Sequence, residues 1–160
     1  MKVGITGHQD LIDDDHQTWV KVSLKETIEK LRPEMGLTCL AKGADQIFAN
    51  LILVYRIQLL SIIPCENYDT TFDEHHLTQY LDLLKKSNIV YKMPFQFPSQ
   101  EAFYEAGKEL VNRVDILIAV WNGMKSQGLG GTADIVHYAI EKDKRIIHLN
   151  LLNKTVIQIN

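Results

Sequence analysis

Two cysteines, no excess of positive charge and no long apolar run set the outer limits of what this 160-residue chain can be. Cys39 and Cys65 stand too far apart for a zinc pair and are too few for a disulfide framework, so reduced thiols without chemistry of their own are expected. No window approaches the ~20 continuous apolar residues of a membrane-spanning helix. Met1-Lys-Val-Gly leads straight into strand-like sequence without the apolar segment of a secretory signal, and a cytoplasmic location is expected. The formal net charge of −3 offers no general attraction for a phosphate backbone. On these grounds neither a membrane nor nucleic acid is expected as a partner.

What is present is the composition of an ordinary globular protein, 46% apolar and 23% charged, long enough to bury a core as one domain spanning residues 1–160. Short β-branched runs predict strands over Lys2 to Thr6, Leu37 to Leu40, Gln58 to Pro64, Ile89 to Pro94, Asp115 to Val120 and Arg145 to Leu149. Between them, apolar residues at helical spacing predict helices over His16 to Leu31, Asp45 to Arg56, about Thr71 to Lys86, Glu101 to Arg113 and Ala133 to Lys142. Asp13, Asp14 and Asp15 suit the positive end of the first helix better than a metal site. Thr70 or Thr71 is the expected cap of the third helix, with Asp73 or Glu74 as its partner. Thr155 to Ile159 is expected to add an edge strand by a hairpin. The alternation predicts a doubly wound α/β sandwich, a mostly parallel sheet with helices on both faces.

Chemistry concentrates where strands hand over to helices. Val120-Trp-Asn-Gly-Met-Lys-Ser-Gln-Gly-Leu-Gly-Gly-Thr-Ala-Asp134 joins the most hydrophobic strand to the last helix. The first amides of a helix lack intrahelical partners and sit at its positive end, so they attract anions. Gly130 and Gly131 allow a phosphate close to the backbone, and the Thr132 hydroxyl adds a donor; a plain flexible turn with Gly123 and Gly128 is the alternative. Val3-Gly-Ile-Thr-Gly-His-Gln-Asp10 is a second such turn, offering Gly7 and His8. Ala41-Lys-Gly-Ala-Asp45 is a third, offering Lys42 and Gly43. In open parallel sheets such strand ends face one crevice. After the third strand, Glu66 could accept from ribose hydroxyls while Tyr68 or Phe72 stacks on a base, or all three serve loop packing. Phe95 and Phe97 form a lid or simply pack. Adjacent His75 and His76 point apart on a helix, and no metal ion or cofactor is assigned.

With Gly4-Ile-Thr-Gly-His8, Ala41-Lys-Gly-Ala-Asp45 and Gly128-Leu-Gly-Gly-Thr-Ala-Asp134 in that order, and Ile63-Pro64 and Asp115-Ile-Leu-Ile-Ala-Val between them, the chain resembles the SLOG superfamily. This Rossmann-like group includes cytokinin-activating LOG enzymes, DprA-type proteins and sensor domains of bacterial defence systems. The resemblance covers nearly the whole chain and implies a nucleotide or nucleotide-derived ligand, ADP-ribose-like or cyclic, with Gly130, Gly131 and Thr132 matching the phosphate-binding turn. It also implies a homo-oligomer, a dimer or higher.

Two activities stay open. One is ligand binding that changes an assembly. The other is an N-glycosidase acting on a nucleoside phosphate, where a carboxylate would stabilise or attack the oxocarbenium-like ribose; the candidates, in falling order, are Asp134, Glu66 and Asp45. LOG-type enzymes carry paired glutamates after a Pro-Gly-Gly-x-Gly-Thr turn, and this chain has the single Asp134 in roughly that place. Asp134 also lies where it could cap its own helix.

Overall fold

The computed structural model describes residues 1–126 and 128–160. Among them the chain runs β1 (Lys2–Gly7), α1 (Asp14–Leu31), β2 (Met35–Thr38), α2 (Ala44–Val54), β3 (Gln58–Ile63), α3 (Glu74–Lys86), β4 (Ile89–Lys92), α4 (Gln100–Arg113), β5 (Ile116–Trp121), α5 (Thr132–Glu141), β6 (Arg145–Asn150) and β7 (Thr155–Ile159). The seven strands form one sheet in the order β4-β3-β2-β1-β5-β6-β7, parallel except for the final β6–β7 hairpin.

The order follows from which faces are apolar. Side chains alternate along a strand, so Ile116, Ile118 and Val120 of β5 enter one core while Leu117 and Ala119 enter the other. The first core takes the buried faces of α1, α2 and α3, with Leu24, Phe48 and Leu83 fully buried. The second takes α4 and α5 through Leu110, Val111, Ile135 and Val136. A strand with two covered faces must be apolar throughout, as β5 is. The chain winds outward from β1 to β4 and then returns to β5 on the far side of β1, so the winding reverses at β1. That reversal opens a crevice at the carboxyl ends of β1 and β5.

Local hydrogen bonds correct several expected boundaries. Asp13 caps α1 by accepting from the His16 amide at 2.8 Å and its ring at 2.6 Å, interactions that hold the Asp13 carboxyl below its usual range. Strand β2 stops at Thr38 instead of Leu40, because Asp45 takes the Cys39 amide at 3.2 Å and the Thr38 hydroxyl takes the Leu40 amide at 3.0 Å. The cap of α3 is Asp73, not Thr70 or Thr71. Those two hydroxyls bond back to Asn67 and Tyr68 carbonyls in a 3₁₀ turn over Tyr68–Thr71. Asp115, just before β5, accepts from the Lys2 amide at 2.7 Å and ties the two central strands together. No helix of the described residues is long and apolar enough to cross a membrane.

Candidate functional site

The turns after β1, β2 and β5 are locked to one another by backbone groups. The His8 amide donates to the Val120 carbonyl at 3.0 Å, and the His8 Nε2 accepts from the Asn122 amide at 3.3 Å. The His8 carbonyl in turn accepts from the Ala44 amide at 3.3 Å, the first of α2. Gly43 fits here because its φ is +85° and an added Cβ would lie 2.6 Å from the carbonyl oxygens of both His8 and Gln9. Gly130 has φ +88°, and its missing Cβ leaves room for the backbone of Gln100 and Tyr104 in α4.

These three turns line a cavity of about 540 Å³, within the usual range of small-molecule sites. The lining includes Gly7, His8, Lys42 and the Gly130–Thr132 turn. Among the described residues, the amides of Thr132 and Ala133, the first of α5, have no acceptor, and Lys42 makes no ion pair, its charge being felt at Asp73. Lys42 and the Gly130–Thr132 turn thus open onto one space, the latter at the N-terminus of α5.

The same lining holds an aromatic cluster and one acid. Tyr68, Phe72 and Phe103 line it. Tyr68 packs edge-on against Phe72 and Tyr80, and Phe72 stacks on Tyr80 with centroids 4.7 Å apart. The cluster is thus a packed wall. Burial pushes the Tyr68 hydroxyl well above its usual range. Asp45 also lines the cavity and is only 5% exposed. Burial lifts its carboxyl to about 7, against the opposing pull of the Thr38 hydroxyl at 3.0 Å and of backbone amides at Cys39 and Ala41. Desolvation, with the Asp45 charge second, pushes the neighbouring Cys39 thiol up as well, which disfavours its thiolate.

The structure therefore brings together Gly7, His8, Lys42, Tyr68, Gly130, Gly131 and Thr132. It leaves out Asp134, Glu66, Gly43, Gly123, Phe95 and Phe97. Asp134 turns its carboxylate back onto the Gly130 amide at 3.0 Å and clasps the turn. Glu66 faces away, paired with Lys92 at 3.0 Å on the surface. Gly43 shapes the wall from behind, and Gly123 is absent from the lining. Phe95 packs against the core while Phe97 is 68% exposed, and neither lines the cavity. Thr6, Gln9, Ser99 and Phe103 line it without having been foreseen. Ser99 caps α4 through the Ala102 amide, and a serine before a helical pattern was the signal available for it.

No family model matches the chain. No curated protein matches it in sequence either. Its fold, however, is found in several solved structures. DNA processing protein A (DprA) from Helicobacter pylori superposes with a TM-score of 0.70 at 18% identity, over 97% of this chain and 68% of that one. DprA from Streptococcus pneumoniae gives 0.69 at 15% identity, over 92% of this chain, which spans 49% of the length of that protein. The molybdenum cofactor binding protein from Rippkaea orientalis gives 0.62 at 17% identity, over 93% and 76% of the two chains. The fold is thus the one expected from the resemblance to SLOG proteins. One expectation is overturned. The H. pylori protein of this fold binds single-stranded DNA, so a net charge of −3 does not set nucleic acid aside as a partner. Whole-chain charge sums over every surface, whereas anion binding in this fold can draw on a few amides and one lysine at strand ends.

Proposed function

We propose that the chain binds a nucleotide or nucleotide-derived ligand in the cavity between its three strand-to-helix turns. The observation that carries this reading is their convergence: residues 7–8, 41–42 and 130–132, far apart in sequence, line one cavity at the switch point of the sheet. Phosphate belongs beside Lys42 and the open amides of Thr132 and Ala133. The nucleoside belongs against Tyr68, Phe103 and Asp45, where an apolar wall adjoins a buried acceptor. Asp134 stiffens the glycine turn by holding the Gly130 amide.

Binding is favoured over glycoside cleavage by where the carboxylates point. Of the three candidates only Asp45 lines the cavity, and the two-carboxylate mechanism finds no second acid in the lining. A second reading takes the nucleotide as one unit of a single strand of DNA, and the fold shared with the H. pylori protein favours it.

Thermal-shift titration with AMP, ADP and short oligothymidylates, followed by separation of products, tests all of this. A ligand at ~100 times its dissociation constant stabilises by about 2.7 kcal/mol. Stabilisation by AMP, recovered intact, supports the small-ligand reading. Stabilisation by oligothymidylates alone supports the strand reading, and free base would establish an enzyme. A melting temperature unmoved by every probe would remove the proposal.

A further inference from the structure

Helix α2 carries no charged side chain from Gln46 to Tyr55. A helix apolar on nearly all sides belongs in an interior. Yet α2 is flanked by α1 and α3 in the layer over one face of the sheet, and only one of its sides meets the strands. Phe48, Ala49 and Ile52 are fully buried on that side. Ile47, Leu51 and Val54, spaced i, i+4 and i+7, therefore fall on the side turned from the sheet. There they line a cleft of about 610 Å³ between α1 and α3. Val54 is 74% exposed. An apolar stripe about 10 Å long, two helical turns, is thus walled on both sides and open at Val54.

Shape and charge select the occupant. The walls of the cleft are helices, and the edge strands of the sheet, β4 and β7, do not line it. A segment seated there finds no ladder to join and must satisfy its own backbone, as a helix does. Lys21 of α1 and Lys42 line the cleft against the single carboxylate of Asp10, which already accepts from the Ile12 amide at 2.9 Å. Neither lysine makes an ion pair among the described residues. His75 and His76 complete the α3 side, with the His76 ring 2.7 Å from the Asp73 carboxylate. A cationic rim over an apolar stripe complements a helix whose own apolar stripe is flanked by acids. This chain offers no such helix to a second copy. Among the described residues α1, α3 and α5 each expose one large apolar side chain, Val22, Leu81 and Ile140, and α4 exposes none.

We propose that the cleft over α2 docks an acidic amphipathic helix of a partner protein, its apolar side chains laid along Ile47, Leu51 and Val54 and its carboxylates toward Lys21 and Lys42. The probe is a displayed library of peptides of about 16 residues, randomised on a helical frame and selected against the full chain. The selected peptides are expected to share apolar residues at i, i+4 and i+7 and to carry net negative charge. In fluorescence anisotropy they should bind with a dissociation constant on the order of micromolar, as suits a small interface. Val54→Asp and Lys21→Glu change exposed residues outside the first cavity. Each should weaken those peptides at least about tenfold and leave the melting temperature as in the wild type. Failure to enrich any peptide, enrichment of basic or extended sequences, or peptides that bind either variant as tightly as the wild type would overturn the proposal. So would a wild-type dimer in sedimentation that Val54→Asp dissolves, since the face then belongs to a second copy. The nucleotide reading is untouched by any of these outcomes.

Discussion

The Asp45 carboxyl titrates at about 7 in the folded protein, lifted by burial, and at ~3.9 in an unfolded chain. Between these values the folded state holds a proton that the unfolded state has released. Linkage then requires stability to fall as pH rises through that window, with the full benefit present only below the unfolded value. Integrated from about pH 5 to about pH 8, the loss is about 3 kcal/mol. For a chain of this length that lowers the melting temperature by about 6–12 °C. The comparison is with Asp45→Asn, which keeps an acceptor for the Thr38 hydroxyl and the Cys39 amide but cannot ionise. Melts of both proteins across the range cancel the titration of all other groups. The wild type should lose stability relative to the variant as pH rises, with the steepest change near neutrality. A flat difference, or one of opposite sign, would mean that Asp45 is solvated or paired and that its burial has been misread.

Further outcomes follow from the turns and their supports. Gly43→Ala should cost about 2–4 kcal/mol in urea denaturation, since the new Cβ meets two carbonyl oxygens at a φ of +85°; a cost under ~1 kcal/mol would mean that the β1 and β2 turns are not interlocked. Lys42→Ala should weaken AMP about tenfold, the worth of one charge-assisted hydrogen bond, and leave adenosine unchanged. Equal losses for both ligands would take Lys42 off the phosphate. Gly107→Ala gains ~1 kcal/mol of helix propensity but drives a Cβ into Ile135 Cδ1, so a net loss of about 1–2 kcal/mol is expected. Adding Ile135→Val should recover most of that loss, and strictly additive effects in the cycle would contradict the contact. Ser99→Ala removes the cap of α4 and should cost about 1 kcal/mol; no change in the melting temperature would count against that cap.

The alternation of strands and helices was legible because periodicity reports which faces are covered, and in β5 the unbroken apolar run reports that both are. The tail hairpin was equally plain from Asn150 and Asn153 beside a β-branched run; Asn150 Oδ1 indeed accepts from the Leu152 amide. Element ends were less legible. Thr38 and Leu40 both look like strand residues, and only the approach of Asp45, seven residues beyond Thr38, ends the ladder between them. The glycine turns announced themselves, yet a carboxylate carries no mark of its direction. Asp134 and Asp45 each stand near the start of a helix, and sequence ranked Asp134 first. The fold buries Asp45 against the cavity and folds Asp134 back on Gly130. Glu66 was drawn away by Lys92, a pairing across 26 residues that spacing could not reveal. Phe103 contributes to the cavity from within a helix, where its apolar character reads only as core.

The central position of β1 also bears on how the molecule is made. This first strand pairs on one side with β2 and on the other with β5, and the Lys2–Asp115 bond that joins the latter pair spans 113 residues. At the ~5–20 residues per second of synthesis, β1 waits roughly 6 to 23 seconds with one edge open. During that interval the nascent chain holds an incomplete half-sheet, the situation in which parallel topologies are slow and prone to false pairing. The binding crevice waits with it, because the His8 amide has no Val120 carbonyl to meet until β5 arrives. Conditions that slow elongation between β4 and β5 should therefore lengthen the life of an aggregation-prone species that has no ligand site to stabilise it.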